Sequence, residues 1–78
     1  MVIAGVVITT QPGQAPAVAV QLASVPFLRL VGGDGNERIA AVVEREDGEA
    51  LEAWAEKLVA SDDRILGVFP TFVGRDPA

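Results

Sequence analysis

The chain has no cysteine, no histidine and no tyrosine, and its 78 residues include one tryptophan and only six Lys or Arg. Without cysteine there are no disulfides, thiolate metal sites or nucleophilic thiols. Without histidine the commonest general base and imidazole ligand is missing. Neither an enzymatic role nor a bound cofactor or metal is expected. Six basic against eleven acidic residues give a net charge of −5 and a pI near 4.4. That is the wrong sign for neutralising phosphates, so nucleic acid and anionic membranes are poor partners. A cationic partner is attracted instead. No apolar run approaches the roughly 18 residues that a spanning helix needs, and Met1 to Ile8 lacks the basic start of a signal peptide. A cytoplasmic protein without a membrane span is expected.

Half of the residues are apolar and only 22% are charged, a composition that buries its surface rather than staying disordered. The length suits a single domain over 1–78, with a flexible tail at 74–78. The β-branched run Val2 to Thr10 stops at Pro12-Gly13 and reads as a buried strand. Between Gln14 and Ser24 the apolar residues Ala15, Val18, Ala19, Leu22 and Ala23 recur at helical spacing, and Pro16 sits where a first turn tolerates its missing N–H.

Phe27 to Val31 reads as a second strand. Gly32-Gly33-Asp34-Gly35-Asn36 supplies a hairpin turn, with Asn36 as a left-handed turn residue, and Glu37 to Glu44 forms the partner strand. Asp47 caps a second helix with an acidic first turn and an apolar stripe of Ala50, Leu51, Trp54, Leu58 and Val59. Trp54 belongs to the core by that spacing. Ser61-Asp62-Asp63 ends the helix, and Ile65 to Val73 is the last strand.

Strand, helix, strand, strand, helix, strand makes two βαβ halves. With right-handed crossovers the expected solution is an α+β, ferredoxin-like split βαβ fold. Its four-stranded antiparallel sheet has the order 4-1-3-2 and both helices on one face. Alternation assigns the faces. Ala4, Val6, Ile8, Leu28, Leu30, Ile39, Ala41 and Val43 point to the helices, as do Leu66, Val68, Pro70 and Phe72 of the last strand. Ile3 and, in the last strand, Ile65 and Val73 point away. The open face then carries Gly5, Val7, Thr9, Arg29, Val31, Ala40, Val42, Glu44, Gly67, Phe69 and Thr71. Gly5 beside Gly67 leaves a shallow floor where a ligand reaches the backbone.

An apolar patch rimmed by charge marks an interaction site. Self-association through the same face as a weak homodimer is the competing expectation. The central strands lack the exposed aromatics of an RNA-binding sheet. The loop Thr9-Thr10-Gln11-Pro12-Gly13 lacks the arginine of a phosphate-cradling enzyme. The carboxylates Asp62/Asp63 and Glu44/Glu46/Asp47 suit a helix stop and a helix cap better than acid–base work.

The segments Ile3-Ala4-Gly5-Val6-Val7-Ile8, Gln21-Leu22-Ala23-Ser24-Val25-Pro26, Ile39-Ala40-Ala41-Val42-Val43-Glu44-Arg45-Glu46-Asp47 and Ile65-Leu66-Gly67-Val68, with their spacing, resemble the NapD family over Val2 to about Val73. Pro70 within the last strand is a departure that suits a sheet edge. The resemblance implies a cytoplasmic chaperone of the periplasmic nitrate reductase. Such a chaperone binds the twin-arginine signal peptide of the molybdenum-containing catalytic subunit and delays export until the cofactor is loaded. On the open face assigned by alternation, Val7, Val31, Ala40, Val42 and Phe69 are then expected to meet the apolar part of that peptide, and Glu44, followed by Glu46 and Asp47, its arginines. The alternative is a small ligand-sensing or self-associating regulatory domain of the same fold.

Overall fold

The β-branched run at the amino end forms the central strand β1 (Val2–Thr10), because residues stiff at χ1 pack well on a pleated surface. In the computed structural model, which describes residues 1–75, it is followed by helix α1 (Ala15–Leu22), strands β2 (Leu28–Gly33) and β3 (Arg38–Arg45), helix α2 (Gly48–Ser61) and strand β4 (Ile65–Arg75). The order of elements is the expected one, with α1 shorter at both ends. The strand β4 continues through Arg75, and the remainder of the expected tail, 76–78, lies outside the described residues.

The four strands form one antiparallel sheet in the order β2-β3-β1-β4, which is the 4-1-3-2 arrangement of a ferredoxin-like fold. Its core lies between the sheet and the two helices. Ala4, Val6 and Ile8 of β1, Ile39, Ala41 and Val43 of β3, and Leu28 of β2 are buried with Ala15, Val18 and Leu22 of α1. Each fully buried Val, Leu or Ile contributes about 1.5–3 kcal/mol of transfer free energy. The other helix packs more loosely. No α2 residue is fully buried, although Leu51, Trp54 and Leu58 lie against the core. Val59 is 36% exposed and sits at the margin instead of in the expected stripe.

Local polar contacts set the ends of the elements. The Asp47 carboxylate accepts the Ala50 N–H at 2.8 Å and caps α2 as expected. In the β2–β3 turn, Gly35 takes a left-handed φ of 73°. Asn36 does not, which corrects its expected role. Its side-chain oxygen accepts the Gly13 N–H at 2.6 Å and its carbonyl accepts the Ala15 N–H at 2.9 Å, so it ties the hairpin to the start of α1.

The last strand departs from simple alternation at both ends. Its pairing with β1 shifts register between Thr9 and Thr10 and again between Gly5 and Val6, which leaves Leu66 and Thr71 as extra residues. Each slip reverses the faces beyond it. Ile65, expected outside, is 4% exposed in the core, whereas Leu66, expected inside, is 59% exposed. Phe72 pairs with Gly5 and leaves the helix side, and Val73 takes its place beside Leu51 and Val68. Between the two slips, Val68 and Pro70 pair with Ile8 and Val6 and face the helices as alternation predicts.

Candidate functional site

The face of the sheet away from the helices is ruled into cross-strand rows by the register. Glu44 stands beside Ile3; Arg29, Val42, Gly5 and Phe72 form the next row; Ala40, Val7 and Phe69 form the third; Arg38, Thr9 and Gly67 form the last. Val31 is the extra residue of a further register shift, between Leu30 and Gly32, and projects from the β2 edge 65% exposed. Thr71 is the extra residue of β4, with Oγ1 beside Gly5. The structure therefore gathers Gly5, Val7, Thr9, Arg29, Ala40, Val42, Glu44, Gly67, Phe69 and Thr71 on one surface, with Val31 at its rim.

The floor of that surface is not bare glycine. A Cβ on Gly5 would collide with the Phe72 ring, and a Cβ on Gly67 would come within 2.8 Å of the Phe69 ring. Both glycines are buried, while the two rings above them are 55% and 56% exposed respectively. The chain thus lays its own aromatic side chains on the two strips of exposed backbone, and the expected shallow floor becomes an aromatic one. Thr9 Oγ1 donates a long hydrogen bond to the Gly67 carbonyl, at 3.4 Å, across the same strip.

At the β2–β3 corner, Pro26, Phe27, Arg29, Val42 and Glu44 line a cleft of about 250 Å³. The Phe27 wall is held in three ways. Its carbonyl accepts the Glu44 N–H at 2.9 Å, its ring meets Trp54 edge-to-face with centroids 5.8 Å apart, and the Arg45 guanidinium lies 4.3 Å from its centroid. Trp54 is therefore half-buried and packed against the core, on the side its spacing predicts, and it touches the wall of the cleft.

The acidic residues near this corner differ in what remains available. Asp47 is engaged in capping α2, and Glu46 lies 4.0 Å from Arg45. Among the described residues, Glu44 forms no ion pair, although Arg29 lines the same cleft. One exposed carboxylate thus stands beside an apolar and aromatic surface. Phe27 and Phe72 were absent from the sequence-derived site. Phe27 is signalled by its place after Pro26 at the mouth of β2, whereas Phe72 reaches the face only through the slip at Thr71.

The rest of the polar chemistry is structural. Asp34 accepts the N–H groups of Asn36, Glu37 and Arg38 in the hairpin, and these bonds hold its pKa below the usual range. Asp62 is lowered to about 2, mainly by the Arg64 side chain, with Nη2 at 2.7 Å from its carboxylate. Arg64 also reaches Gln21 of α1 and so ties the ends of the two helices. Among the described residues, no three His, Cys, Asp or Glu side chains form a group that could hold a metal ion.

Residues 1–71 match the family model described as NapD protein. The chain belongs to the NapD family. Searches of the curated proteins and of the solved structures return no match. NapD proteins are nitrate reductase assembly chaperones, a non-catalytic family, so this chain has an assembly-chaperone role. The matched segment holds the open face apart from Phe72, which lies one residue beyond it. No helix among the described residues is long and apolar enough to cross a membrane.

Proposed function

We propose that this NapD protein acts in the cytoplasm by binding the twin-arginine signal peptide of a molybdenum-containing nitrate reductase subunit, and that the complex delays export until the cofactor is loaded. The observation that carries the proposal is the juxtaposition on one face of an apolar strip and a carboxylate, Glu44, that forms no ion pair among the described residues. Val7, Ala40, Val42 and Phe69 offer a surface for the apolar stretch of such a peptide. The Glu44 cleft offers a charge-assisted hydrogen bond to an arginine. The net charge of −5 favours encounter with a basic segment. Gly5, Thr9, Gly67 and Thr71 form the floor, with the Phe69 and Phe72 rings lying on it. Arg29 and Val31 bound the site along β2.

Calorimetric titration of the protein with the signal peptide, and with a twin-lysine version, tests the proposal. Arginine-dependent binding that weakens with rising salt is expected. Val42→Glu and Phe69→Glu should abolish it with the circular dichroism spectrum unchanged, and Glu44→Gln should weaken it about tenfold. Equal binding by all three variants would remove the open face from the proposal. Absence of binding to either peptide, together with a stable dimer, would point to a self-associating domain.

A further inference from the structure

On the other side of the sheet, α2 and β4 enclose an apolar trough of about 380 Å³ lined by Val6, Leu51, Ala55, Val68, Pro70 and Val73. A second depression of about 360 Å³ continues it past Ala55 and Val68 to Val59. The packing here is incomplete: no α2 residue is fully buried, and Val73 is 58% exposed. Apolar surface left open in this way on a small domain marks a contact surface.

Two observations define what fits. Glu52 and Glu56 are both exposed and line the trough and its continuation one helical turn apart. Among the described residues, neither pairs with a Lys or Arg. An occupant that supplies cations along that rim therefore gains charge complementarity as well as burial. Second, β4 is a poor template for strand addition. Pro70 has no N–H to offer, and the extra residues Leu66 and Thr71 interrupt the ladder on either side of it. The fitting occupant is one whose backbone bonds are already made internally, which means a helix.

We propose that the α2–β4 trough is a second docking surface, and that it accepts an amphipathic helix of a partner protein with Lys or Arg along one flank. The sheet separates it from the face that carries Val42 and Glu44, so the two surfaces can be occupied together, and neither assignment depends on the other.

The test uses the full chain, uniformly labelled with nitrogen-15. The probe is a synthetic helix of about five turns with leucines at i, i+3, i+4 and i+7 and lysines along one flank. Amide shifts centred on Leu51, Ala55, Val68 and Val73 are expected. A peptide with glutamate in place of lysine should bind roughly tenfold or more weakly, and the exposed double variant Glu52→Lys/Glu56→Lys should reverse that preference. Val42→Glu on the opposite face should leave the binding unchanged. Shifts confined to Val7, Val42 and Phe69, equal binding of a scrambled peptide, or a dimer in sedimentation that Val73→Glu dissociates would each overturn the proposal.

Discussion

The ring of Phe72 occupies the space above Gly5 that any side chain at that position would need, with Thr71 Oγ1 only 2.8 Å from where its Cβ would stand. Glycine here provides a seat for an aromatic ring from the neighbouring strand, which shields the exposed backbone of β1 from water. The ring in turn depends on the register shift that places Thr71 as an extra residue.

The Gly5–Phe72 contact predicts that a side chain at position 5 costs less once the ring is removed. Gly5→Ala should cost about 1 kcal/mol in the parent chain, because the ring is half-exposed and yields by moving outward. In a Phe72→Ala background the same substitution should cost clearly less, since only the Thr71 hydroxyl still crowds the new Cβ and alanine loses less backbone entropy than glycine in a strand. Urea unfolding of the four proteins checks this; an equal cost in both backgrounds would refute the contact.

Phe27 stands between Arg45 and Trp54, so the three should be energetically coupled. A double-mutant cycle of Arg45→Gln and Phe27→Leu should give a coupling of about 0.5–1 kcal/mol. Phe27→Leu alone should shift Trp54 emission to longer wavelength as the indole loses its edge-to-face partner. Unfolding free energies and emission spectra supply both readouts.

The cap on α2 has a predictable worth. Asp47→Ala removes the acceptor for the Ala50 N–H and should cost about 1 kcal/mol, whereas Asp47→Asn should retain most of the stability. The ratio of the two losses, measured by urea unfolding, separates the cap from a general effect of charge.

Acid sensitivity should be concentrated at the end of α2. The folded pKa of Asp62 is depressed to about 2 from an ordinary value of 3.8. The unfolded state therefore binds the proton more readily, so the stability contributed by this group is complete above the ordinary value and is lost as pH falls from about 4 towards 2. Asp34, also depressed, acts in the same direction. In Asp62→Asn the urea midpoint should fall less steeply over that interval than in the parent; parallel curves would show that the Arg64 contact does not distinguish the folded state.

Much of the fold was legible because the governing patterns are local. The β-branched run, the Pro12-Gly13 stop, the glycine-rich hairpin and the Asp47 cap each act within a few residues, and right-handed crossovers then leave little freedom in strand order. The faces of β1 and β3 followed from strict alternation, since their mutual pairing from Val2–Arg45 to Thr9–Arg38 has no slip. The open face took most of its members from those two strands, which is why Val7, Ala40, Val42 and Glu44 share one surface.

The ends of β4 were not legible, because a bulge is decided by the partner strand and leaves no mark in the alternation of its own residues. Ile65, Leu66, Phe72 and Val73 all changed sides for that reason. Asn36 likewise found its role in Gly13 and Ala15, across a loop contact that only the folded chain creates. Element types, their order and the acidic, thiol-free chemistry were determined by the sequence alone, through short-range sterics and composition. Where the last strand slips, which rings cover the glycines and how closely α2 approaches the sheet were decided by tertiary structure, because each depends on groups that become neighbours only when distant segments pack.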